Sequence, residues 1–322
     1  MDTEIGKDIV KAKSLLDAGE LVGLPTETVY GLAGNALNND AVVKIFQAKN
    51  RPHFNPLIIH LPFWKDVEKY AAAIPRAAHE LAMHFSPGPL TFLLKKKEVV
   101  PDLVTAGNEK VAVRIPAHPL NLQLLKSLDY PLAAPSANPF GYVSPTSAQH
   151  VFDSLQGRIP YILDGGHCSV GLESTIVDFE NEKVIIRRNG GISRKEMEDV
   201  LGKKLRVETG DSEHPVAPGQ LKSHYATHTP LYVGDPRQLR NQFQNSEIIV
   251  IGFGEAEASA GFNLSLEADL SEAAKNLFAV LRRADNAGAD VIITQLLPEE
   301  GIGAAINDRL RKAQHTMKIH GS

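Results

Sequence analysis

Five short segments of this chain set polar side chains inside apolar or proline-bounded strand ends. The first is Pro25-Thr26-Glu27-Thr28-Val29-Tyr30-Gly31. If extended, it turns Thr26, Thr28 and Tyr30 to one face, a row of hydroxyls that donate and accept hydrogen bonds. An ordinary edge strand has the same pattern. The second is Lys49-Asn50-Arg51-Pro52, followed by Asn55-Pro56-Leu57 and His60. In an extended segment Lys49 and Arg51 converge on one anion, Arg as a rigid fork and Lys as a compact charge. At a solvated helix C-terminus the same two cations would only suit the helix dipole. In the third, Val111-Ala112-Val113-Arg114-Ile115-Pro116, an Arg inside an apolar strand needs a partner, because an unpaired buried charge is costly. An acid of the protein or the carboxylate of a ligand would serve, and Lys110 sits just before.

The fourth segment is Ala134-Pro135-Ser136-Ala137-Asn138-Pro139, with Gly141 and Ser144 following. Small residues beside Ser and Asn let a ligand approach the backbone, and they also suit a proline-rich turn. The fifth runs from Gly171 through Glu173, Ser174, Thr175 and Asp178, then Arg187-Arg188-Asn189-Gly190-Gly191. Its glycines can admit phosphates to backbone N–H groups. Together Lys49, Arg51, Arg188, the strand Arg114 and the hydroxyls suit an anionic nucleotide plus a small zwitterion. The usual signatures are absent: no GxxxxGK[ST] loop, no complete GxGxxG, no GxSxG, no HExxH and no Cys/His zinc set.

Alternating short apolar runs and helical patterns must position these groups. Helices are predicted over 5–18, 40–48, 75–85, 122–128 and 193–201, the last with Ser193 as N-cap and Glu196 at the capping-box position. Strands are predicted over 21–24, 57–61, 90–94, 111–115, 132–134, 161–163, 175–179 and 184–186. Mixed in this way, they argue for an α/β domain. After Leu205 the composition turns polar and rich in Gly and Pro, which reads as a linker. A second unit then follows, with strands at 231–233, 248–251 and 291–294, a helix at 271–286 and a basic helix at 307–313. The domains expected are 1–205, a linker over 206–230, and 231–322.

With 322 residues, 43% of them hydrophobic, the chain can bury a full core. Its apolar runs are strand-sized, too short for a membrane span. The single cysteine, Cys168, excludes an intrachain disulfide. With no apolar leader at the N-terminus, a cytoplasmic protein is expected. The 34 basic and 38 acidic residues do not favour a surface that grips nucleic-acid phosphates throughout, yet leave room for one basic pocket.

Seven motifs in order, LPTETVYGLAGNA, KNRPHFNPLIIHL, SPGPLT, VAVRIPAHP, APSANPFG, DGG…GLESTIVD and RRNGGIS, resemble the YrdC-domain threonylcarbamoyl-AMP synthases over about residues 7–205. PGQLKSHYA and GIGAAINDRLRKA resemble the longer members, which carry a linker and a further domain. The resemblance implies a YrdC-like twisted mixed sheet with a concave basic cavity, and a small Rossmann-like α/β C-terminal domain. Such enzymes join L-threonine, bicarbonate or CO2 and ATP into L-threonylcarbamoyl-adenylate and pyrophosphate. A separate transferase complex then modifies an adenosine beside the anticodon of tRNA. The same resemblance implies that Thr28, His60, Arg114, Ala134 and Ser174 hold L-threonine. Lys49 and Arg51 would be catalytic at the phosphates. Asn55, Lys110, Ser136, Asn138, Ser144 and Arg188 would line the ATP side, where Tyr225 would reach in from the linker as a lid. Mg2+ would come on the ATP phosphates, with no metal ligand from the protein, no membrane and tRNA met only indirectly. Two alternatives stand beside this. One is a double-stranded RNA or tRNA-binding module using Lys95-Lys96-Lys97 and Arg187-Arg188. The other is a carbamoyl-adenylate enzyme with a different substrate.

Overall fold

The computed structural model describes the chain apart from residues 181–182, 211–214, 221–224, 256–257, 260 and 316–322. It divides into two units, one of Met1–Phe140 with Ser144–Lys222, the other of Gly141–Val143 with Ser223–Ser322. The boundary at 222/223 falls inside the stretch read as a linker.

The first unit holds strands β1 (Glu4–Gly6), β2 (Val22–Leu24), β3 (Gly31–Asn35), β4 (Ile58–His60), β5 (Leu90–Lys95), β6 (Lys110–Arg114), β7 (Leu132–Ala133), β8 (Tyr161–Leu163), β9 (Thr175–Glu180), β10 (Lys183–Arg188) and β11 (Arg206–Val207). They form one twisted mixed sheet in the order β1-β8-β2-β3-β7-β4-β6-β5-β9-β10-β11. Helices α1 (Ile9–Asp17), α2 (Asn39–Lys49), α3 (Arg76–Phe85), α4 (Asp102–Thr105), α5 (Pro119–Lys126), α6 (Ala148–Leu155) and α7 (Arg194–Leu201) pack beside it. The side chains of Asp8, Asn38 and Ser147 accept first-turn N–H bonds, and Ser193 and Glu196 form the expected capping box. The sequence had put Ile5 in the first helix. It lies instead in β1, paired with Ile162 of β8, because the Asp8 cap starts the helix later.

The central register matters most. Arg114 of β6 pairs with His60 of β4 on one side and Thr91 of β5 on the other. Thr91 pairs in turn with Ile176 of β9. Strand side chains alternate faces, so residues in register share one. Phe92, Leu94, Val111 and Val113 point into the main core. Ile58, Leu93, Ala112 and Ile176 form a separate small apolar cluster on the opposite face, the face that also carries Arg114, His60 and Thr91. The segment 215–220 covers that cluster: Ala217, fully buried, sits on it, and Gln220 Oε1 accepts from the N–H groups of Val216 and Ala217. Part of the apparent linker is thus built into the first unit.

The second unit has three parallel strands, β12 (Leu231–Val233), β13 (Ile248–Ile251) and β14 (Val291–Thr294), in the order β12-β14-β13. Its helices are α8 (Pro236–Gln242), α9 (Leu270–Asp285) and α10 (Gly303–Ala313). Leu277, Phe278 and Leu281 of α9 are buried as their spacing predicts.

Candidate active site

The first segment is not extended. Thr26 Oγ1 accepts from the N–H groups of Thr28 and Val29 and donates to Val29 O, a tight turn closed by its own side chain. That overturns the single hydroxyl face: Tyr30 is buried elsewhere, donating to Gly166 O. The turn instead brings Glu27 and Thr28 together onto Arg114. The Arg114 guanidinium donates from Nη2 to Glu27 Oε1 at 2.7 Å, from Nη1 to Thr28 Oγ1 at 2.8 Å and from Nε to Gly88 O at 3.2 Å. Glu27 Oε2 takes the Ala117 N–H as well. The strand Arg therefore has an acidic partner of the protein, and it retains N–H groups beyond those three bonds. The Thr26 and Thr28 hydroxyls share a hydrogen bond of 2.7 Å, which ties the turn to the Arg114 guanidinium through Thr28.

His60, beside Arg114 in register, is buried, and its Nδ1 has no partner among the described residues. Burial, with the Arg114 charge second, pushes its pKa down to about 3, so the ring is neutral at working pH. The neighbouring Ala134 gives its N–H to Ile58 O.

The second segment is not extended either. Lys49 ends α2, and Asn50 turns the chain in the left-handed conformation, φ 51°. This is the helix C-terminus, but a buried one. Lys49 is 1% exposed, and its Nζ donates to the backbone carbonyls of Ser136 and Asn138. Burial, then the Arg51 charge, holds its pKa well below the ordinary lysine value. Arg51 donates to Asn55 O at 3.2 Å and Pro56 O at 2.8 Å. The Asn55 side chain is 1% exposed, and neither its Nδ2 nor its Oδ1 has a partner among the described residues. A buried amide with both atoms available can donate to one polar group and accept from another.

Arg188 joins the threonine-side and ATP-side candidates directly. It donates to Ser174 O from Nε and Nη2, at 3.0 and 2.9 Å, to Ser174 Oγ at 3.1 Å, and to Pro218 O at 3.3 Å. Ser144 Oγ donates to Glu173 Oε1 at 2.6 Å. The glycine pair after Arg188 does not stand open for phosphate. A Cβ at Gly190 would lie 2.3 Å from Glu173 O, and the Gly191 N–H is bonded to that oxygen. These glycines let two backbone segments touch.

Lys110 lies at the far end of β6 from Arg114, its Nζ on Asp178, whose other oxygen takes Arg187 at 2.8 Å. Arg187 also meets Glu180 and Glu208, and Lys96 meets Asp102 at 2.6 Å, so these cations do not form an unneutralised surface for RNA. Tyr225 belongs to the second unit. There its ring stacks on Phe278, centroids 5.5 Å apart, with the Arg309 guanidinium over it at 5.5 Å. Sequence reasoning missed Glu27 and Thr91. Glu27 alternates with the threonines, so an extended reading sends it to the wrong face. Thr91 ends the SPGPLT motif with no charge to draw notice.

Among the described residues no three metal-ligating side chains come together. Glu27 is occupied by Arg114 and Ala117, and Glu173 by Ser144.

Residues 14–190 match the Sua5/YciO/YrdC family described as Telomere recombination, and residues 192–314 match the Threonylcarbamoyl-AMP synthase, C-terminal domain. The chain is 41% identical over 317 residues to threonylcarbamoyl-AMP synthase of Pyrococcus abyssi, covering 94% of this chain and 92% of that one. It is 39% identical to the enzyme of that name from Bacillus subtilis, covering 95% and 92%. The crystal structure of P. abyssi Sua5 complexed with L-threonine superposes with a TM-score of 0.89 at 39% identity, covering 97% of each chain.

Proposed function

The chain belongs to the Sua5/YciO/YrdC family in its long form, and from that premise we propose that its first unit joins L-threonine, bicarbonate or CO2 and ATP into L-threonylcarbamoyl-AMP and pyrophosphate. The observation that carries this reading is one sheet face bearing Arg114 and His60, with Thr28 bonded to that Arg from the adjoining turn, in a chain aligned along its length with a threonine-bound relative. Arg114 takes the threonine carboxylate with its remaining N–H groups. Thr28 Oγ1 and the neutral His60 ring lie beside that carboxylate site, where burial and the Arg114 charge favour the uncharged, nucleophilic form of the amine. The uncharged amine attacks the carbon of CO2, a C=O π pair moves onto oxygen, and the N–H proton passes to solvent or bicarbonate, leaving a carbamate. A carbamate oxygen attacks the α-phosphorus, and pyrophosphate leaves with the bonding electrons of the P–O bond.

ATP enters as its Mg2+ complex, whose metal offsets phosphate charge. Lys49 and Arg51 align the two anions, and Asn55, Ser136, Asn138, Ser144 and Arg188 of the first unit bind the nucleotide side. Ala134 and Ser174 complete the threonine side. Segment 215–220, laid over the apolar patch of this face, helps exclude water from the labile carbamate. The adenylate then serves a transferase complex that modifies tRNA, with no direct RNA contact by this chain. The described residues contain no helix long and apolar enough to cross a membrane, and we place the protein in the cytoplasm.

The test is pyrophosphate release by the full chain. It should require L-threonine, bicarbonate and MgATP together, and Arg51→Ala should abolish it without unfolding the protein. Release that ignores threonine, or none at all, would overturn the reading.

A further inference from the structure

Thr91 carries no role so far, yet its surroundings determine one. It is fully buried on β5, in register with Arg114. Its hydroxyl lies 2.7 Å from Ser174 Oγ, its sole hydrogen-bond partner among the described residues. When a ligand oxygen takes the Ser174 proton, Thr91 gives its own proton to Ser174, the arrangement that leaves neither buried O–H without an acceptor. Ser174 Oγ also accepts from Arg188 Nη2 at 3.1 Å. Both lone pairs of that oxygen are then filled. What Ser174 has left is its own proton, and no described residue takes it.

We propose that Thr91 is a positioning residue: with Arg188 it saturates the acceptor sites of Ser174, so that Ser174 can meet a ligand only as a hydrogen-bond donor. A fixed donor selects an anionic oxygen, here the carboxylate or nascent carbamate of the amino acid. Without Thr91 one Ser174 lone pair stands open and its O–H is free to rotate, so the ligand no longer meets a fixed donor. The role rests on the synthase reading above.

The experiment compares Thr91→Val, which keeps the shape, with Thr91→Ser, which keeps the hydroxyl. Both are measured by calorimetric L-threonine binding and by threonine-dependent pyrophosphate release in the full chain. Thr91→Val should weaken threonine binding and raise its KM roughly fivefold to tenfold, the worth of one net hydrogen bond. The KM for ATP should move less than about twofold. Thr91→Ser should stay near wild type. In a Ser174→Ala background Thr91→Val should cost nothing more, a non-additivity that a purely structural role does not produce. If Thr91→Val folds poorly, the ratio between Thr91→Ser and Thr91→Ala carries the same comparison. A Val variant that binds threonine like wild type, or losses that add fully with Ser174→Ala, would refute the positioning role. A wild-type chain that neither binds threonine nor releases pyrophosphate overturns the synthase reading first, and this role with it.

Discussion

Acidification offers a sharp test of the threonine pocket, because His60 is buried beside a permanent cation. Its pKa falls from 6.5 to about 3 on folding, chiefly by burial and next by the Arg114 charge. Between these values the unfolded chain binds a proton that the folded chain refuses. Stability therefore rises with pH through this window and is lost as pH falls from about 6.5 toward 3. At pH 7.5 both states hold the ring neutral and the effect is near zero. At pH 5 the unfolded ring is almost fully protonated, at a cost to the folded state of about 2 kcal/mol from this residue alone. His60→Gln removes the titration and keeps a polar side chain. Urea unfolding of both proteins at pH 7.5 and pH 5 isolates the term, since every other titrating group cancels in the difference of differences. The wild type should lose about 2 kcal/mol more than the variant. If both lose the same amount, His60 is solvated or paired, and the neutral ring assigned to it is wrong.

Two further outcomes follow from the same site, with a third substitution as their control. Glu27→Ala leaves Arg114 charged and buried without its acid, the two side chains being 8% and 5% exposed, and should lower the urea-derived stability by about 3–5 kcal/mol; a loss under about 1 kcal/mol would show the pair to be hydrated. Gly190→Ala drives a Cβ into the backbone at Glu173, Ser174 and Thr175 and should destabilise by at least about 2 kcal/mol, with loss of pyrophosphate release. Gly210→Ala, which meets nothing within 4 Å among the described residues, should stay within about 0.5 kcal/mol of wild type, and equal effects at the two sites would contradict the contact.

Much of the fold was legible because local rules agreed with one another. Ser193 and Glu196 announced α7 and its capping box, and the apolar stripe of α9 placed Leu277, Phe278 and Leu281 inside. The errors came where a side chain overrode the backbone pattern. Thr26 bonds its own turn and breaks the extended reading of 25–30. Asn50 accepts a left-handed φ and turns Lys49 and Arg51 onto backbone carbonyls. The polar, aperiodic stretch after Leu205, read as a linker and lid, buries Ala217 on Ile58, Leu93, Ala112 and Ile176. Periodicity cannot signal a segment that packs through one small residue.

Sequence alone settled which residue types the chain holds for anions, the α/β alternation and, through seven ordered motifs, the family resemblance. These are local properties, written in side-chain chemistry and in periods of 2 and 3.6 residues. Only the tertiary structure decided partnership. It chose Glu27 as the acid on Arg114, gave Asn55 and the His60 Nδ1 no partner among the described residues, committed Lys110 to Asp178 and set Thr91 behind Ser174. Those choices depend on strand register and on what burial forbids, and both join residues some 60 to 90 positions apart.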